Sequence, residues 1–167
     1  MGSDDCPQLR LKGNAWLGLP QLIRDAVDCR ARPGMIRIKE ALFAEILGHL
    51  EKEYPNEGCG LLSGKNGEVV KVHPIRNLEQ SPVSYLMDPR EELEFFREIR
   101  KANLELVGIY HSHPASEPYP SEKDRALAVY EEPFYLIVSL KEKTRPVARA
   151  FRLCGGKIEE DKICQAG

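Results

Sequence analysis

A chain of 167 residues is long enough for one domain with a buried core and short for two. Its formal net charge is −2, and its acidic and basic residues are interspersed, so no basic face offers itself to nucleic acid or to an anionic membrane. The longest apolar runs, such as 134–140, are far too short to cross a bilayer.

The five cysteines, Cys6, Cys29, Cys59, Cys154 and Cys164, form no Cys-x-x-Cys pair. With an odd count and no secretory leader, the expectation is free thiols in a reducing compartment, and therefore a cytoplasmic protein.

Residues 1–34 combine scattered Gly and Pro with one short apolar piece at 19–27 and the single tryptophan, Trp16. The expectation is a weakly ordered N-terminal extension over 1–34 and a working domain over 35–167. A packed helix around 19–29 is the alternative. From Met35 the patterning is regular. Alternation predicts a strand over 35–38. Phe43, Ile46, Leu47, Leu50 and Tyr54 then recur at helical spacing over 39–54, and Pro55 stops them. Strands follow over 58–63 and 68–75, joined by a turn at Gly64-Lys65-Asn66-Gly67.

Asp88-Pro89-Arg90-Glu91 reads as a capping box with proline at the first helical position. It opens a helix to about Asn103, with Leu93, Phe95, Phe96 and Ile99 expected to face inward. An apolar strand over 105–110 leads directly into His111-Ser112-His113-Pro114. Ser121 starts another helix, to about Tyr130. Strands over 134–140, 147–153 and 157–164 close the chain, the last two as a hairpin about Gly155-Gly156. That register sets Cys154 opposite Lys157, away from Cys164. Interleaved strands and helices predict an α/β or α+β domain with a mixed sheet flanked by helices.

Side chains two apart on a strand share a face, so His111 and His113 can reach one ion while Ser112 points away. An isolated His-x-His is more often a pair of surface histidines. Ser121-Glu122-Lys123-Asp124, taken alone, is a helix-capping pattern. Their conjunction is informative: Asp124 lies one turn into the helix, where its carboxylate completes a His₂Asp set of the kind zinc prefers. Three protein ligands with one open position mark a catalytic rather than a structural zinc site, and such sites activate water. A base must then carry the proton. Glu57, just before the apolar strand at 58–63, is the best candidate, although spacing alone does not separate it from an ordinary acidic loop residue. His49 and His73 read as surface residues, and Cys59 as a small packed hydrophobe.

Glu57, His111-Ser112-His113-Pro114 and Ser121-x-x-Asp124, at this separation, resemble the JAMM motif of the JAB/MPN+ metalloprotease family. The resemblance covers roughly 35–164, and no motif position is substituted. Short bacterial and archaeal members have a segment similar to Pro55-Asn56-Glu57-Gly58-Cys59-Gly60-Leu61-Leu62. The resemblance implies a single MPN/JAB-like domain, with Zn²⁺ held by His111, His113 and Asp124. It makes Glu57 the general acid/base and Ser121 the residue that holds the attacking water and the oxyanion. It implies hydrolysis of a peptide or isopeptide bond after the C-terminal glycine of a ubiquitin-like protein or a β-grasp sulfur carrier. Residues 1–34 are a departure, because compact members lack them. Two other readings stand beside this one. RadC-like relatives carry a similar pattern but read His-Asn-His-Pro-Ser-Gly where this chain has His-Ser-His-Pro-Ala-Ser. Non-catalytic MPN scaffolds usually lose ligands that this chain keeps.

Overall fold

The computed structural model of the protein describes residues 8–9 and 34–166. Apart from residues 8–9 and 34, the expected extension over 1–34 lies outside the described residues, as does the alternative helix around 19–29. The elements are β1 (Gln8–Leu9), β2 (Met35–Lys39), α1 (Glu40–Glu53), β3 (Cys59–Lys65), β4 (Glu68–Ile75), α2 (Pro89–Lys101), β5 (Glu105–His113), α3 (Glu122–Ala126), β6 (Phe134–Ser139), β7 (Val147–Cys154) and β8 (Lys157–Ala166). This is the mixed α+β architecture that the patterning predicts.

The strands form one sheet in the order β1-β8-β2-β4-β3-β5-β6-β7. Strand β8 pairs antiparallel with β7 over Lys157–Asp161 and parallel with β2 over Lys162–Ala166. The sheet therefore curls round and joins its own far side. Antiparallel β3/β4 turns through Asn66-Gly67, both at positive φ (51° and 78°), the conformation a two-residue hairpin demands. The strand thus runs two residues further into the expected four-residue turn.

Two apolar clusters lie on the two faces. Helix α1 covers one of them, burying Phe43, Ile46 and Leu50 against Ile36, Ile38, Leu62, Val107 and Tyr110. Helix α2 covers the other, with Phe95 and Ile99 against Leu61, Ile109 and Tyr135. Tyr110 lies so close to β3 that a Cβ on Gly60 would stand 2.4 Å from its ring, so only glycine fits there.

Between β3 and β5 the pairing skips. Leu62 faces Gly108 while Ser63 faces Leu106, leaving Val107 as an extra residue in a bulge. A bulge re-aims every later side chain on its strand. Beyond it, Ile109 stands opposite Leu61 and His111 opposite Cys59. Both histidines consequently belong to the α2 face.

Several expectations need correction. Leu93 is 45% exposed, because it lies on the outer side of α2 while Phe95 and Ile99 take the inner side. Asp88 does cap α2, accepting from the Arg90 amide, but Glu91 does not close a capping box: its Oε2 accepts from the Arg76 amide at 2.7 Å. Helix α3 stops at Ala126 rather than near Tyr130, since Leu127, Ala128, Val129 and Tyr130 pack against the α2-side cluster. Tyr135 Oη also takes up the backbone of Tyr130.

Neither outlying histidine is a surface residue. His49 bonds to Tyr110 Oη at 2.9 Å, and His73 to Ser63 Oγ at 2.8 Å with Phe95 edge-on at 4.8 Å. Cys59 keeps a free thiol and Cys154 stands opposite Lys157 as expected, but Cys164 is disulfide-bonded. The pairing of Cys164 with Gln8 shows that the chain near its N-terminus reaches this strand.

Candidate metal centre

The last residues of β5 carry the site. His111 is fully buried and His113 nearly so, and their Nε2 atoms stand 3.0 Å apart. Ser112 faces the other way, its Oγ accepting from the Gly58 amide at 2.9 Å while its own amide donates to the Gly58 carbonyl at 3.0 Å. That double tie locks the end of β5 to the residue next to Glu57.

The loop after β5 returns through Ser139 Oγ, which donates to the Ser116 carbonyl at 2.6 Å, and delivers Ser121 as the cap of α3. Ser121 Oγ accepts from the Asp124 amide at 3.0 Å, and the Ser121 amide donates to Asp124 Oδ2 at 2.7 Å. The capping box that sequence suggests is therefore present and points Asp124 inward. Asp124 Oδ1 lies 3.6 Å from His111 Nε2, and Oδ2 lies 3.4 Å from His113 Nε2. Ligand atoms about 2.0–2.1 Å from one tetrahedral ion stand roughly 3.3 Å from each other. Counting both Asp124 oxygens, the separations bracket that figure, and one donor atom from each residue lies within 4.8 Å of the others, so the donor set fits a zinc ion.

The protonation states also suit a cation. His113 Nδ1 lies 2.9 Å from the Glu117 carbonyl, which can only accept; Nδ1 therefore carries a ring proton, and in the neutral imidazole Nε2 keeps its lone pair. Burial depresses His111 to about 3, keeping that ring neutral. Burial alone would raise Asp124, but His111, His113 and Ser121 outweigh it and hold the carboxyl well below its ordinary range. Burial alone would lower His113, yet Asp124, the Glu117 carbonyl and Glu57 leave it raised. The cluster as a whole favours positive charge between its donors.

Glu57, 4% exposed, is brought to the same place, within electrostatic reach of His113 and Asp124. Burial pushes its carboxyl up to about 8, partly opposed by His113, and its Oε2 is buried without a hydrogen-bond partner. All five residues singled out in the sequence thus converge. Two contributors escaped sequence reasoning. Tyr85 lays its ring on His111 at 4.6 Å, and Asn77 bonds to the Glu57 carbonyl at 2.9 Å. Both lie in the aperiodic stretch 76–87, where the one available hint is an Asn leading a polar Ser-Pro loop, a turn-forming signal without chemistry of its own.

This fold, with two strand-end imidazoles and a capping-box carboxylate, is that of a JAB domain. The chain belongs to the family of prokaryotic homologs of the JAB domain, whose profile matches residues 39–154. The CysO-cysteine peptidase of Mycobacterium tuberculosis is 34% identical over 128 residues, spanning 75% of this chain and 88% of that protein. The Desampylase of Pyrococcus furiosus is 53% identical over 68 residues, 41% of this chain and 49% of that one. Among solved structures, a Desulfitobacterium hafniense protein superposes with a TM-score of 0.72 at 38% identity, covering 79% of this chain and 93% of its own. No described helix is long and apolar enough to cross a membrane.

Proposed function

We propose that this chain is a zinc-dependent metallopeptidase. Its reaction is hydrolysis of the peptide or isopeptide bond after the C-terminal glycine of a ubiquitin-like protein or a β-grasp sulfur carrier. The observation that carries the reading is the meeting of buried Glu57 with two imidazoles 3.0 Å apart and a carboxylate whose two oxygens lie 3.6 and 3.4 Å from them. The relatives' names, a CysO-cysteine peptidase and a Desampylase, supply the substrate class.

In this reading His111, His113 and Asp124 hold the zinc. Zinc in such a site supplies Lewis acidity, polarising a carbonyl and easing deprotonation of water. Glu57 takes the proton of the attacking water and returns it to the departing amine. Its burial suits that double duty, since a carboxyl raised to about 8 holds a proton well, and a cation close by draws it back towards neutrality. Ser121 Oγ accepts from the Asp124 amide, so its own hydroxyl hydrogen is left to donate to the developing oxyanion. Glycines before the scissile bond let extended backbone run where a side chain would collide.

Residues 35–167 are the catalytic domain in this reading, and 1–34 an extension. A cytoplasmic location belongs to it too, and the Cys164 disulfide counts against that part.

The deciding experiment incubates purified protein with a β-grasp carrier extended beyond Gly-Gly, with and without chelator, and reads products by mass spectrometry. Cleavage after the glycine should vanish on chelation and fall by about 10³-fold in Glu57→Gln. Cleavage persisting in both controls removes the mechanism, and an uncut carrier removes the substrate class.

A further inference from the structure

The segment 76–87, between β4 and α2, runs as a strap beside Glu57, with Asn77 as its hub. Asn77 is 4% exposed. Its Nδ2 donates to the Glu57 carbonyl at 2.9 Å and to the Ser84 carbonyl at 3.2 Å. Its Oδ1 accepts from the amides of Glu79 and Leu86, both at 3.0 Å. An amide side chain has two donor hydrogens and two acceptor lone pairs, so every hydrogen-bonding position of Asn77 is used. Completing the enclosure, the Glu57 amide donates to the Ser81 carbonyl at 2.8 Å. The strap thus holds both the N–H and the C=O of Glu57.

The Glu57 side chain is anchored differently. Its Oε2 is buried and makes no hydrogen bond to the surrounding protein. With Oε2 untethered by the protein, the placement of the Glu57 backbone bears directly on where that oxygen lies.

We infer that Asn77 is a positioning residue for Glu57. By gripping the Glu57 carbonyl and folding the strap so that the Ser81 carbonyl meets the Glu57 amide, it sets the direction of the carboxylate. The inference rests on the proton-carrying role given to Glu57 above. The three zinc donors come from β5 and α3, so loss of Asn77 disturbs proton transfer more than metal binding.

Two measurements test it. In the wild-type protein, hydrogen exchange followed by NMR should show the Asn77 side-chain NH₂ and the Glu57 amide protected together, opening with the same denaturant dependence. Side-chain hydrogens of Asn77 that exchange freely while the Glu57 amide stays protected would overturn the inference. The second measurement uses Asn77→Asp, equal in shape but turning an oxygen towards two carbonyls. Its kcat should fall about 30-fold with KM within about twofold, a typical cost of a misaimed catalytic group, and zinc content should be unchanged. A kcat within about threefold of wild type, or zinc lost in proportion to activity, would equally overturn it. If Asn77→Asp does not fold, the exchange experiment decides alone. If wild-type protein cuts no carrier, the peptidase reading fails by itself, and the exchange result still tells whether Asn77 fixes Glu57.

Discussion

Four histidines occupy two kinds of surroundings in this protein, and the difference separates scaffold from chemistry. His49 and His73 lie on opposite faces of the sheet, each meeting a hydroxyl at 2.9 or 2.8 Å and an aromatic ring edge-on. Their polar needs are met by the protein, and their carbon atoms fill core space. His111 and His113 instead turn their Nε2 atoms towards each other and towards a carboxylate. A nitrogen satisfied by a hydroxyl is structure. Nitrogens that converge on one another and on a carboxylate form a set that could hold a cation.

The sharpest way to break this contrast is to exchange the pairs' fates. His113→Ala should reduce near-stoichiometric zinc to background and abolish cleavage, whereas His73→Gln should retain both, with metal content read by elemental analysis. Zinc kept in His113→Ala would place the ion elsewhere. A smaller effect is expected from Ser121→Ala, since Ser121 caps α3 and so holds Asp124 in place. Steady-state kinetics should show kcat lower by about 10²-fold, and denaturant unfolding should show a loss of about 1 kcal/mol for the missing cap.

The smallest effect concerns the scaffold pair and is a matter of pH. Burial lowers both His49 and His73 from the ordinary value of 6.5. In the folded state they bind protons less readily than in the unfolded chain. Their contribution to stability is therefore complete above about pH 6.5 and is lost as the pH falls below it. Urea midpoints at pH 8 and pH 5.5 should differ less in His73→Gln than in wild type, with chelator present to silence the metal centre. An unchanged difference would mean that His73 is already charged when folded.

Much of this was legible in the chain because it is local. The alternation before α1, the helical spacing of Phe43, Ile46 and Leu50, and the glycine hairpin at 155–156 each encode their element within a few residues. His111, His113 and Asp124 could be read together because a strand end, a loop and one helical turn separate them. Glu57 was another matter: nothing within fifty residues of the histidine pair points to it, and only the family resemblance joined them. Leu93 was misplaced because a helix with apolar residues at 93, 95, 96 and 99 fits two inward stripes, and packing on β4 and β5 chose the one through Phe95. Asn77 and Tyr85 were invisible. Their partners are a backbone carbonyl and an imidazole ring reached only once β3, β4 and β5 have paired.

The capping box at the start of α3 has one more consequence. Because the Ser121 amide already engages Asp124 Oδ2 at 2.7 Å, this carboxylate is held in one orientation, with Oδ1 turned to His111 and Oδ2 to His113. Calcium, which gathers roughly six to eight oxygens, finds little here that it wants. A small borderline-soft ion content with two imidazoles and one carboxylate would be well served. The aim of that carboxylate is set in the first turn of a five-residue helix.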